Sequence, residues 1–283
     1  MQMTRRRAQI RQRPTLVPAR LALGLLGAAV ACAPAQAGSL EAKYAISMIG
    51  LPIGIADLNG SFEGDRYKLD IRANTTGLMG AFTGGKGAGT ATGSLPGQKH
   101  APATFAITAA NSSEKRTVRI AMERGAVVKS DITPPLDEKP DRVQVTEAHK
   151  RGIIDPVSAF LMPLTSMDGT GASACNRTLP IFDGAARYDI QLTYAGTKSI
   201  KIDGFQGEVF VCNARYVPIA GHRALRKATS FMAENRDIST WLAPVAGTRL
   251  VAPVRVSVKT MIGTAVIEAT RFVAAPGVTA STR

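Results

Sequence analysis

Three groups of residues have types and spacings that chemistry could use, and each is incomplete. Gly80-Ala81-Phe82-Thr83-Gly84-Gly85-Lys86-Gly87 has the glycine and lysine spacing of a phosphate-cradling loop. Such a loop continues into a Ser or Thr whose hydroxyl holds Mg²⁺, and here Gly87 stands in that place. A glycine-rich turn or a bend in a strand accounts for the run without chemistry. Asp155, Ser158 and His222 would supply an acyl-transfer triad, but no Gly-x-Ser-x-Gly elbow surrounds Ser158. His100, His149 and His222 are far apart, and neither Cys175 nor Cys212 has a second Cys or a His at ligand spacing. These residues therefore give no catalytic residue, no metal site and no cofactor. Asp183-Gly184 is a tight-turn pair, with Arg187 and Asp189 expected to form an ion pair on the wet face of the strand that follows.

The cysteines carry a different message. Of Cys32, Cys175 and Cys212, the first lies in the N-terminal segment, and the other two make an even number. In an oxidising compartment they are expected to be bridged, the alternative being two buried thiols. The closed loop would be worth about 3–4 kcal/mol in the chain-entropy account.

That compartment is indicated by the N-terminus. Arg5, Arg6, Arg7, Arg11, Arg13 and Arg20 precede the apolar run Leu21–Val30, and Ala35-Gln36-Ala37 follows as a small-x-small cleavage site. The expectation is a signal peptide over 1–37 using the general secretory route. A single β-rich periplasmic domain over 38–283 would follow. The apolar run is too short to cross a bilayer, so no transmembrane span is expected after its removal. Cys32 behind Ala29-Val30-Ala31 offers lipoprotein anchoring as a second reading, but the usual Leu three positions upstream is missing. The whole chain carries a formal charge of +14. A basic protein outside the cytoplasm meets anionic lipids and polymers. Clustered Lys/Arg with interleaved aromatics is absent from residues 38–283, so nothing beyond charge suggests nucleic acid.

The elements that must position these residues are mostly strands. Tyr67, Leu69, Ile71 and Ala73 alternate with Lys68, Asp70, Arg72 and Asn74. The same period of two recurs through Val118–Met122, Tyr188–Tyr194 and Val254–Val258. Turn signals such as Arg124-Gly125, Asp203-Gly204 and Ile262-Gly263 fall between the runs. The fold class expected is all-β, a large curved antiparallel sheet or partly open barrel.

One stretch breaks the pattern. Asp155-Pro156 is a helix-start signal, and Val157, Phe160, Leu161 and Leu164 recur at helical spacing before and beyond Pro163. A two-turn helix is expected here, packed on the sheet as a plug. Its other reading is a lid, pivoting over an apolar groove through the exit Thr165–Gly171, with Met162 and Met167 as adaptable contacts. Phe160 and Leu161 are expected to be buried against the sheet, so that Phe160→Ala would cost about 3–5 kcal/mol.

Short motifs along the chain resemble a known family. They are Tyr44 with Gly50-Leu51-Pro52-Ile53-Gly54, Asp155-Pro156-Val157-Ser158, and Phe182-Asp183-Gly184 with Arg187-Tyr188-Asp189. Cys212 leading to Tyr216-Val217-Pro218-Ile219 and Gly221-His222 completes the set. The chain is similar in these motifs to the exported bacterial proteins of domain of unknown function 3108. The resemblance implies a β-rich envelope protein with no assigned reaction and no catalytic residues to carry over. At the level of fold, a curved sheet with a plug is also similar to periplasmic lipoprotein carriers of the LolA and LolB kind. The function expected is a non-catalytic binding or interaction module for a lipid, another apolar ligand or an envelope component. A structural envelope factor with a filled core is the alternative, and a hydrolase the third reading.

Overall fold

The computed structural model describes residues 37–77, 80, 84–164 and 171–276. Residues 1–36 of the expected signal peptide, residues 81–83 of the glycine-rich run and most of the Thr165–Gly171 exit lie outside the described residues. The alternating runs form strands. The first seven are β1 (Ala37–Met48), β2 (Leu51–Glu63), β3 (Arg66–Thr75), β4 (Lys86–Ser94), β5 (Ala101–Ala110), β6 (Lys115–Glu123) and β7 (Ala126–Thr133). After a long connection come β8 (Met162–Pro163), β9 (Arg177–Phe182), β10 (Arg187–Ile202), β11 (Phe205–Ala220), β12 (Ile238–Val245), β13 (Leu250–Thr260) and β14 (Gly263–Ala275). Two helices lie between strands of this second set, α1 (Gly171–Cys175) and α2 (Lys227–Glu234).

The strands form one antiparallel sheet in the order β7-β6-β5-β4-β3-β2-β1-β14-β13-β12-β11-β10-β9, with β8 paired to β13 off that path. Nearly every neighbour in space is a neighbour in sequence, as antiparallel strands joined by hairpins allow, and five of the connections are two-residue turns. Because β1 pairs with β14, the ends of the path are the mid-chain strands β7 and β9. Open strand edges invite unwanted pairing, and the connection between β7 and β9 covers both. Arg151 bridges Ala126 at the start of β7, and the Gly152 N–H donates to the Gly125 carbonyl at 2.6 Å. On the other side the Ile154 N–H donates to Pro180 at 2.8 Å, and the Phe182 N–H donates to Ile154 at 3.0 Å.

This connection also holds the main correction to the expected elements. Asp155–Met162 is not a two-turn α-helix. Its start is as expected: Asp155 Oδ1 accepts from the Val157 and Ser158 N–H groups at 3.0 and 2.8 Å. One 3-10 turn, Ser158–Phe160, follows, and Leu161 is already extended at φ −115°, ψ 108°. Met162 and Pro163 then form β8 against Val251 and Leu250. Two physical causes are visible. A residue before proline is steered to extended geometry, which removes Met162 from a helix. The apolar side chains, moreover, are shared between two cores rather than laid along one stripe.

Those two cores define the architecture. The larger contains Leu40, Leu58, Leu69, Phe105, Ile120 and Phe272, with Val157 and Leu161 from the connection. The smaller contains Cys175, Leu179, Ile181, Leu192, Cys212 and Leu242, with Ile154 and Met162. Consecutive residues Ile181 and Phe182, Leu242 and Ala243, and Val251 and Ala252 divide between the two. Since neighbours along a strand point to opposite faces, the cores lie on opposite faces of β9–β13. Strands β1–β7 contribute to the larger core alone.

Candidate functional site

The second face of β9–β13 is not fully filled. Over it runs an apolar groove of about 300 Å³, walled by side chains from each of these five strands. Leu179 and Ile181 come from β9, Tyr188 and Ile190 from β10, Tyr216 from β11, and Val256 and Val258 from β13. Met232 of α2 and Pro156, Phe160 and Met162 of the connection close its sides. The alternation explains the strand contribution: every second residue of a strand that is apolar on this face must reach the same surface. Tyr188 and Tyr216 pack against each other at 5.2 Å between ring centroids, their planes tilted by 40°. Burial holds both hydroxyls well above their ordinary pKa, with the nearby Asp183 carboxylate adding to the effect. Asp183 is itself raised by burial, and its carboxylate accepts from the Ala185 and Ala186 N–H groups at 2.8 and 2.7 Å.

The structure divides the residues expected in a plug or lid by what they touch. Pro156 and Met162 face the groove, Val157 and Leu161 are anchored in the larger core, and Phe160 lines the groove while also packing against that core. Asp155 is fully buried and supports the turn. Its Oδ2 accepts from the Ser158 hydroxyl at 2.5 Å, and the Tyr67 hydroxyl donates to Ser158 Oγ at 2.8 Å. Burial raises the Asp155 pKa against the lowering effect of these donors. This chain of contacts ties the connection to β3. The segment is also held beyond the turn, by β8 and by the Leu164 N–H donating to the Arg249 carbonyl at 2.9 Å. Phe160 is only partly buried, so the loss expected for Phe160→Ala is smaller than a fully enclosed ring would give.

Cys175 and Cys212 are disulfide-bonded, with Cα atoms 5.4 Å apart. Both half-cystines are fully buried in the smaller core, where the bond ties α1 to β11 on the same face of the sheet as the groove.

The incomplete motifs stay apart from one another. Lys86 and Gly87 open β4 opposite Asn74 and Ala73. Ser158 bonds to Asp155 and Tyr67, while the His222 carbonyl accepts from Val143, so the three triad residues form no hydrogen-bonded set among the described residues. Arg187 and Asp189 pair at 2.5 Å as expected, but they are only 14% and 20% exposed, a sheltered pair rather than a wet one. Among the described residues no three His, Cys, Asp or Glu side chains gather as a metal site would need, and no helix is long and apolar enough to cross a membrane.

Sequence reasoning missed α2 and its Met232. The signal was present in Ala228, Phe231 and Met232 at helical spacing. Asn235 anchors the helix's end, its side-chain amide donating to the Lys259 carbonyl at 2.8 Å. The two-sided burial of Leu250–Val254 had no period to reveal it, because a strand buried on both faces reads as a plain apolar run.

Among solved structures, the chain is similar to a crystal structure described as a β-barrel-like protein of domain of unknown function DUF1849 from Brucella abortus. The two share 9% identity over 85% of this chain and 98% of that one, with a TM-score of 0.49. No curated protein matches the chain. Residues 43–270, from the strand carrying Tyr44 to the one that pairs with it, match the family described as Protein of unknown function (DUF3108), and the chain belongs to that family.

Proposed function

We propose that this protein is an exported binding module of the cell envelope whose groove on β9–β13 holds a lipid acyl chain. The observation that carries the reading is the lining of that groove. Aliphatic, aromatic and methionine side chains from five strands, a helix and a turn converge on an unfilled space of about 300 Å³, at the small end of ligand-sized pockets. A structural factor with a filled core needs no such space. Met162 and Met232 are unbranched and adapt to an irregular apolar chain. Pro156, Phe160 and Met162 serve as a fixed wall, because Asp155 and β8 hold the turn on both sides of them. Export is supported by the arginine-rich, apolar and small-x-small order of residues 1–37 and by the disulfide, a bond that persists in oxidising compartments. Protein recovered from the envelope of its host should begin at Gly38, as intact-mass analysis will show. Retained residues 1–37 or a lipid-modified Cys32 would remove that part of the reading.

A fluorescent fatty acid tests the groove. Wild-type protein should bind it and release it to an unlabelled fatty acid. Val256→Trp, which fills the space from β13, should weaken binding at least tenfold while leaving the far-ultraviolet dichroism unchanged. Equal binding by wild type and a folded Val256→Trp would sink the acyl-chain reading.

A further inference from the structure

A second cavity, of about 750 Å³, opens where the chain closes the seam between β7 and β9. Its wall carries Lys99, Arg124, Arg151, Arg177 and His100, and among the described residues no Asp or Glu. None of these four cations has an ion-pair partner among the described residues, although Arg187–Asp189 and Arg223–Asp141 pair elsewhere.

The backbone gathers these groups for reasons already given. Arg124 and Gly125 form the β6–β7 turn at φ 48° and 75°. The Ala126–Arg151 bridge sets Arg151 beside that turn. Arg177 opens β9 two residues after the disulfide's Cys175, and a guanidinium N–H of Arg177 is held by the Ser173 carbonyl. Its Nε is buried without a partner. His100 lies edge-on to Tyr67 at 6.1 Å between ring centroids. The Leu161 backbone favours the charged form of this imidazole but stands outside hydrogen-bond geometry, so both ring nitrogens are buried without a partner.

Cations of one sign around a cleft with apolar walls repel each other and focus a positive potential into it. Guanidinium forks match the oxygens of a phosphate two at a time, and buried donors without acceptors are normally satisfied in native proteins. We infer that this cavity is a binding site for a phosphate-type oxyanion, gripped by Arg124, Arg151 and Arg177, with Lys99 and His100 beside them. The site stands apart from the acyl-chain reading, since a free phosphate can bind these cations with no lipid in the groove. Leu179 nevertheless lines both spaces, so an anionic lipid would set its headgroup on one side of that residue and its chain on the other.

Two probes separate the sources of the oxyanion: inorganic phosphate followed by calorimetric titration at low ionic strength, and sedimentation with phosphatidylglycerol or phosphatidylcholine vesicles. Three proteins are compared. They are wild type, Arg124→Asn/Arg151→Gln, and Lys129→Gln/Lys201→Gln, which removes two exposed charges elsewhere. Asn suits the positive φ of position 124. The cavity variant should bind at least tenfold more weakly, the control should bind as wild type does, and phosphate should move the His100 ring resonances and raise its pKa. Discrimination with phosphate assigns a small-anion site, and discrimination with phosphatidylglycerol alone assigns a headgroup site. Equal loss in both double variants would mean bulk charge only and overturn the proposal, as would no binding of either probe by wild type. Val256→Trp should leave the phosphate titration unchanged, so failure of the groove and failure of this site give different results.

Discussion

The two sides of this sheet solve the same packing problem differently. Strands β1–β7 bury one face on the larger core and turn Lys68, Arg72 and Arg119 outward. Strands β9–β13 bury that same inner face and cover the outer one too, with α1, α2, the disulfide and the Asp155–Pro163 turn. The difference teaches where a binding surface can come from. A one-faced strand has nothing left over once its core is full. A strand apolar on both faces must recruit cover from outside the sheet, and short covering elements fit imperfectly, leaving the groove.

The sharpest way to break this contrast is at Leu161, only 1% exposed and anchoring the turn in the larger core. Leu161→Ala should cost about 4 kcal/mol in denaturant melts, and it should weaken fatty-acid binding by loosening the groove wall. A loss below about 1 kcal/mol would mean that the turn is not the shared wall described.

The disulfide serves the two-faced side alone. Cys175→Ala/Cys212→Ala should cost about 3 kcal/mol. In hydrogen exchange the deprotection should concentrate in α1, β10 and β11 and spare β2–β4. Uniform deprotection of both sides would show that the halves fold as one unit, without the local stability assumed here.

Acid probes the seam between the halves. Burial, with Arg177 nearby, lowers the His100 pKa from 6.5 to about 4. Between those values the unfolded chain binds a proton that the folded chain does not. Stability should therefore fall as pH drops from 6.5 to 4 and lose no more from this group below that. The full effect is about 3 kcal/mol. Asp155 and Asp183, raised by burial, act in the opposite sense at the acid end of the range. The difference between wild type and His100→Gln isolates the imidazole. Identical pH profiles for the two proteins would place His100 in contact with water.

The smallest expected effect lies at the tie between the turn and the one-faced side. Tyr67→Phe removes the hydrogen bond to Ser158 and should cost about 1 kcal/mol, with fatty-acid affinity nearly unchanged because Asp155 still holds the turn. A tenfold loss of affinity would mean that β3, not Asp155, sets the groove wall.

Residues 37–276 show how far a period of two reaches. Tyr67–Asn74 and Val118–Met122 display one face to water, so their strands and inner residues follow from local chemistry. Glycine and Asp-Gly turns likewise fix hairpins within a few residues, which sets most of the sheet's order. Asp155-Pro156 fixed the start of the turn for the same local reason, as its carboxylate meets the N–H groups two and three residues on. Where that turn ends was decided elsewhere. Val157, Phe160, Leu161 and Leu164 have helical spacing, yet pairing of Met162 with Val251, nearly ninety residues away, and the division of side chains between two cores outweigh about two turns of marginal helix. The groove and the basic cavity belong to the same class. Each gathers residues distant in the chain, Pro156 with Met232 and Val256, and Lys99 with Arg124 and Arg177. Local sequence sets torsions and faces, but only closure of the sheet through β1–β14 and the β7–β9 seam brings those faces together, because contacts at long separation are set by packing and not by propensity.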